Sequence, residues 1–228
     1  FSSVDLAMDL EKRISKTDRI RLLPWVREEW SDNPVLCPAY ETALAFSMPD
    51  AGFLVHLSGE CLRHQEKRKQ GKVFDRLYRT HKLPKKAGGN RTITVPDDSL
   101  KRLQRRILRS GLEGISLPSA VKGFRKGESI VSNAAPHVGK DLVVNVDIDS
   151  FFPATRFDQI LGVSGLLAKG RLSMSAQRLV ANICSYDGGL PMGAPTSPAI
   201  ANLVFLRADR AFATVAERHD IAYTRYAD

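Results

Sequence analysis

Residues 142–152 read LVVNVDIDSFF, and the reading of this stretch decides the rest. Leu142, Val144, Val146 and Ile148 alternate with Val143, Asn145, Asp147 and Asp149. A period of two predicts a β-strand with one apolar face. The other face carries two carboxylates to the strand's exit, followed at once by Phe151 and Phe152. Acids placed there can hold a hard cation, or simply end a strand in solvent. The stretch alone leaves both readings open.

Working outward, Pro153 stops the strand. Thr155 and Asp158 predict a cap for a helix reaching about Lys169, with Gly170 as its stop. Ser173 predicts the cap of a second helix to about Ser185. Then comes DGGLPMGAPTSPAIANLVF, residues 187–205, in which turn residues precede Ser197 and Pro198 at the head of a helix reaching about Glu217. Residues 221–228, IAYTRYAD, predict another strand ending on an acid. Set side by side in an antiparallel sheet, the strands 142–149 and 221–228 would bring their carboxylates together. Such clustered acids repel unless a cation sits among them.

The N-terminal side is basic. The whole chain of 228 residues carries a net charge of +9, but residues 61–109 hold 16 Lys and Arg against 4 Asp and Glu. That segment therefore carries +12 and the remainder −3, a concentration that points to a polyanionic partner. Within it, LPKKAGGNRTITVP (83–96) predicts a hairpin turned at Gly88, Gly89 and Asn90. Lys85, Lys86 and Arg91 would flank its tip, where they suit a triphosphate. A helix follows over 97–109, capped by Asp98 or Ser99, with Leu100, Leu103 and Ile107 as its apolar stripe. Lys101, Arg102, Arg105 and Arg106 cover the rest and suit a nucleic-acid backbone. Residues 1–30 and 53–70 also read as helical, the latter ended by Gly71. Residues 117–141 read as loop around Gly123 and Gly127, then a short helix holding Asn133 and His137.

Hydrophobic residues make up 43% of the chain, which suits a globular protein. No run of about 18 apolar residues occurs, so no membrane partner is expected. No signal peptide is visible at the N-terminus. Cys37, Cys61 and Cys184 are scattered and odd in number, which argues against zinc and for a reducing cytoplasm.

Taken in order, the motifs resemble those of reverse transcriptases, and among these the bacterial retron type. VDIDSFF is similar to the family's first catalytic motif, GLPMGAPTSP to its template- and nucleotide-contacting motif, and YTRYAD to the start of its YADD box. LPKKAGGNRTITVP and SLKRLQRRIL resemble its finger motifs, and GFRKGESIVSNAAPH carries the Asn-Ala…His signature of retron enzymes. The resemblance covers roughly residues 73–228. It implies an α+β fold of the right-hand polymerase type: a helical extension over 1–60, fingers over 61–140 and palm over 141–228. The palm would be an antiparallel sheet backed by helices, incomplete at its C-terminus and without a thumb.

The resemblance also implies roles. Asp147 and Asp228 would be catalytic metal ligands, with the Ile148 carbonyl as a third contact. Two Mg²⁺ ions, replaceable by Mn²⁺, would sit ~3.5–4 Å apart and drive nucleotidyl transfer. Phe152 would gate the sugar against a 2′-OH, and the Ser150 and Phe151 amides would meet the triphosphate. Met192 and Gly193 would face the incoming nucleotide, and Asn133 and His137 would touch RNA. Partners would be a structured non-coding RNA serving as template and primer, its DNA product in a branched RNA–DNA molecule, deoxynucleotides and a separate effector protein in anti-phage defence. In two respects the chain departs from the pattern. Met192 stands where the family has Gln, which predicts altered nucleotide affinity because a thioether packs where an amide bonds. The second Asp of the YADD box is lacking, so these residues by themselves are not expected to polymerise. The other readings are a group II intron or other bacterial reverse transcriptase, and a non-catalytic nucleic-acid-binding component that restrains an effector.

Overall fold

Pro24 starts helix α1, Leu23–Glu29, at a position where a missing N–H costs nothing. This computed structural model describes residues 21–48, 51–65, 71–84 and 90–228, residues 65 and 91 by backbone alone. Asn33 then accepts the amides of Val35 and Leu36 at 3.1 and 2.9 Å and turns the chain into α2, Leu36–Phe46. Helix α2 is buried along nearly its whole length and ends on Ser47 in the left-handed region, φ 55°. Helix α3, Ala51–Gln65, packs back on α2. The helix expected over 53–70 thus starts earlier, and 66–70, like 1–20, lies outside the described residues.

The expected hairpin is present. Strand β1, Tyr78–Pro84, pairs antiparallel with β2, Asn90–Pro96, in the register His81↔Ile93. Its tip, with Lys85 and Lys86, lies outside the described residues. Asp97 leaves β2 in extended conformation and caps α4, Asp98–Ile107, accepting the Leu100 amide at 2.8 Å. The cap is one residue earlier than expected because Asp97 is the last residue before the helical dihedrals begin. Leu100, Leu103, Gln104 and Ile107 are buried, while Arg102, Arg105 and Arg106 are exposed and Lys101 is half-buried.

Further on are α5, Ile130–Ala134, and α6, Phe151–Ala154. Helix α7, Phe157–Leu166, has Arg156 at its N-cap position, where Gln159 Oε1 accepts the Arg156 amide at 2.9 Å, in place of the Thr155 and Asp158 pair. The Thr155 hydroxyl instead donates to the Phe151 carbonyl at 2.9 Å, and Asp158 pairs with Arg156. Helix α8, Met174–Ile183, starts on Ser173 as expected. The last predicted helix is broken in two, α9, Ser197–Val204, and α10, Leu206–Arg218. The break falls at Phe205, whose ring meets Phe151 at 5.8 Å and carries the Arg225 guanidinium 5.2 Å above it.

The core is mainly helical. Leu23, Phe46, Leu54, Leu57, Leu100, Ile107, Ile160, Leu179 and Ile183 are fully buried in one cluster that includes residues on both sides of position 140. Glu41 is buried within it, with Arg27 Nε 3.1 Å away and the Ser173 hydroxyl bonded to its carboxylate. Burial outweighs both partners and pushes its carboxyl above the ordinary range.

Helices mixed with a small antiparallel sheet are as expected for an α+β chain. The antiparallel palm sheet is not formed among the described residues, where the sheet is the β1–β2 hairpin. Residues 142–148 take no strand pairing, and Leu142, Val144 and Val146 are 79%, 73% and 83% exposed. The segment expected as their neighbour bonds along one edge to another stretch. Arg225 donates its amide to Ala120 O at 2.9 Å and accepts the Lys122 amide at 2.8 Å, forming a parallel bridge at Val121. Without a partner ladder, an alternating sequence has no second surface against which to bury its apolar face.

Candidate active site

Three segments converge on the corner at residues 148–153. Ile148 is half-buried against the core and anchors the end of the exposed stretch, leaving Asp147 and Asp149 in solvent. Ser150 then turns into the left-handed region, φ 52°, its hydroxyl 3.2 Å from Asp149. The turn directs Phe151 into the core and leaves Phe152 half-buried at its edge, 6.1 Å from the Phe124 ring. The predicted sugar gate therefore forms part of a wall of aromatic rings.

The stretch Gly189–Gly193 is fastened across this corner. Leu190 N–H donates to Phe152 O at 3.0 Å, and a Cβ on Gly189 would lie 2.6 Å from Pro153 O. Gly193 N–H donates to Thr94 O on β2 at 3.0 Å, and a Cβ there would lie 2.7 Å from the same oxygen. Gly193 is thus required for close approach to the hairpin, a contact its role beside a nucleotide does not include. Ser197 donates to Pro191 O at 2.6 Å and folds the loop onto the head of α9. Met192 remains 47% exposed between these fastenings. The hairpin, the loop and the two phenylalanines are therefore neighbours in the fold.

The segment 221–228 is gripped from two sides. Its alternation sends Tyr223 and Arg225 toward α10, where both Arg225 Nε and Nη2 lie 2.8 Å from Asp209 oxygens. Tyr223 donates to Asp209 at 2.9 Å, and Arg225 Nη1 reaches Asn202 at 3.0 Å and Ala227 O at 2.5 Å. Asp209 and Arg225 are both buried, so the bidentate pair works with little screening. Burial first, then the bond to Asp209, pushes the Tyr223 phenol up. On the other side Thr224 meets His137 Nε2 at 2.8 Å and donates to Asn133 O at 3.3 Å. Gly123 lies so close that a Cβ would be 2.1 Å from Ala227 N. Ala227 is left-handed, φ 73°, and Asp228 follows it in an exposed position.

Sequence reasoning missed Arg225, Asp209 and Asn202. A signal was available: Asp209 shares a helical stripe with Phe205, Phe212 and Ala216, and an acid on an apolar stripe calls for a buried partner. Gln104 was also missed. It is fully buried in α4 and donates to the Tyr78 hydroxyl at 2.9 Å and to Ile183 O at 2.8 Å, joining hairpin to core.

Asp147 and Asp228 have the oxygen chemistry that Mg²⁺ takes. Among the described residues, however, no three His, Cys, Asp or Glu side chains gather into a group able to hold a metal ion. The expected centre draws on two carboxylates, Asp147 and Asp228, and on the Ile148 carbonyl, so it does not call for such a group. No described helix is long and apolar enough to cross a membrane.

No protein-family model matches the chain. Known proteins similar to it are reverse transcriptases, which sets the class. The particular kind is the retron reverse transcriptase, to which the chain is related over about two thirds of its length. It is 38% identical over 156 residues to the Retron Ec86 reverse transcriptase of Escherichia coli, covering 68% of this chain and 48% of that protein. It is 36% identical over 169 residues to the Retron Mx162 reverse transcriptase of Myxococcus xanthus, covering 66% and 34%. The Retron Mx65 reverse transcriptase of the same organism is 36% identical over 168 residues, covering 67% and 39%. The matches thus span from about a third to about half of these relatives.

Proposed function

We propose that this chain is part of a bacterial, cytoplasmic retron reverse transcriptase that copies a structured non-coding RNA into DNA. The likeness to several retron reverse transcriptases at 36–38% identity carries this reading. In it, β2 and the loop 189–193 form one wall of a nucleotide site and Phe152 its floor. Lys85, Lys86 and Arg91 donate to the triphosphate, together with the Ser150 and Phe151 amides. Asp147 and Asp228, with the Ile148 carbonyl, are the ligands that would take Mg²⁺, and both carboxylates are exposed. The exposed face of α4 (Arg102, Arg105 and Arg106, with Lys101 at its border) follows the RNA backbone through charge, without reading sequence. The product in this reading is branched RNA–DNA, the substrates are deoxynucleotides, and the biological setting is anti-phage defence with an effector protein.

Asp147→Asn in the whole protein, assayed with its copurifying RNA, tests the reading. DNA synthesis is expected to fall by about 10³-fold or more while RNA affinity stays within about twofold, because the change removes a charge at the reacting centre and leaves the basic face intact. Undiminished synthesis by Asp147→Asn overturns it.

A further inference from the structure

The Asn133–His137 signature bonds within the protein: the His137 ring and the Asn133 backbone carbonyl both meet Thr224. His137 closes a short 3₁₀ turn, Ala135–His137, that continues α5. That helix is fixed by a reciprocal cap: Ser129 Oγ accepts the Ser132 amide at 3.2 Å and Ser132 Oγ accepts the Ser129 amide at 2.8 Å. The loop before it is braced by Lys122 on Glu128 at 3.1 Å and by Arg125 Nη1 on Pro118 O at 2.8 Å. From this frame His137 reaches Thr224, 87 positions away, at 2.8 Å.

The direction of the bond follows from its neighbour. With the Thr224 hydroxyl proton directed to Asn133 O at 3.3 Å, the oxygen accepts from the Nε2–H tautomer of His137. Both the Nε2–H tautomer and the protonated ring can donate this bond, so either serves. The opposite side of the same segment is held by Arg225 on Asp209 and Asn202, and Arg225 also grips Ala227 O. Two independent anchors on alternate faces of a strand fix both its register and its rotation. The residue they lead to is Asp228.

From this we propose that His137 is a positioning residue: through Thr224 it fixes segment 221–228 and thereby the place of Asp228. The proposal rests on the polymerase reading above. It assigns His137 an effect on the rate of nucleotide addition with no effect on RNA affinity.

The experiment uses the whole protein with its copurifying RNA and four variants: His137→Leu, Thr224→Val, the double variant and His137→Gln. Three quantities are read: single-turnover deoxynucleotide incorporation, RNA affinity, and hydrogen exchange of residues 221–228. His137→Leu and Thr224→Val are each expected to slow incorporation by about tenfold, since small misplacements of a reacting group are costly. The double variant should be no slower than Thr224→Val, because that change already removes the bond that His137→Leu deletes. RNA affinity should stay within about twofold, and His137→Gln should recover most of the rate, since its amide can donate from near the Nε2 position. Additive losses, RNA affinity falling in step with rate, or no recovery by glutamine overturn the proposal. If His137→Leu fails to fold, the near-isosteric Thr224→Val carries the test, and an unchanged rate there overturns it. A wild-type protein that makes no DNA overturns the polymerase reading instead. Hydrogen exchange then still judges the clamp: acceleration in both singles with none added in the double variant supports it, and additive acceleration overturns it.

Discussion

The two acid-bearing segments are alike in sequence and opposite in structure. Residues 142–149 and 221–228 both alternate, and each carries an acid toward its end. The first stands exposed along both faces, with Ile148 as its half-buried foothold. The second is locked by a buried ion pair, a threonine–histidine bond and a backbone-to-backbone contact at Gly123. Alternation licenses an extended conformation in both cases. It does not supply the partner, and only a partner converts an extended segment into a fixed one. A buried charge such as Arg225 names its partner stringently, because leaving it unpaired is expensive, whereas Val144 is satisfied by any apolar surface.

The difference can be broken or sharpened by substitution within this chain. Asp209→Ala should have the largest effect, about 3–5 kcal/mol of lost stability in urea unfolding, because it strands the Arg225 guanidinium. A loss under about 1 kcal/mol would mean that the pair does not anchor the segment. Gly123→Ala comes next at about 1–3 kcal/mol, since the new methyl must displace the backbone at Ala227. Its effect should appear as faster hydrogen exchange over 221–228, and unchanged exchange there would remove the close approach from the account. Tyr223→Phe deletes one hydrogen bond to Asp209 and should cost about 1 kcal/mol in the same unfolding measurement. The smallest change is expected in the other segment. Val144→Thr should shift stability by no more than about 0.5 kcal/mol, as for a surface position. A larger loss would show that residues 142–148 are covered in solution.

Local elements were legible in the sequence to the extent that local chemistry sets them. The hairpin, the apolar stripe of α4 and the Ser173 cap were all read from turn residues, spacing and capping oxygens. Errors of a residue or two came from competing local bonds, as where Thr155 spends its hydroxyl on Phe151 O. The contacts of Phe205 were not legible, because they join it to residues 151 and 225, far away in the chain. At the site, the docking of Gly193 against Thr94 and the placing of His137 on Thr224 join positions far apart in the chain.

By itself, then, the order of motifs determined the kind of protein to which this chain is related, and alternation and helical spacing determined most of its elements. Which of two alternating segments would be held, and by what, was decided only in three dimensions. Periodicity is a property of neighbouring residues. The cost of a buried charge or an unpaired backbone depends on what the rest of the fold brings within a few ångströms.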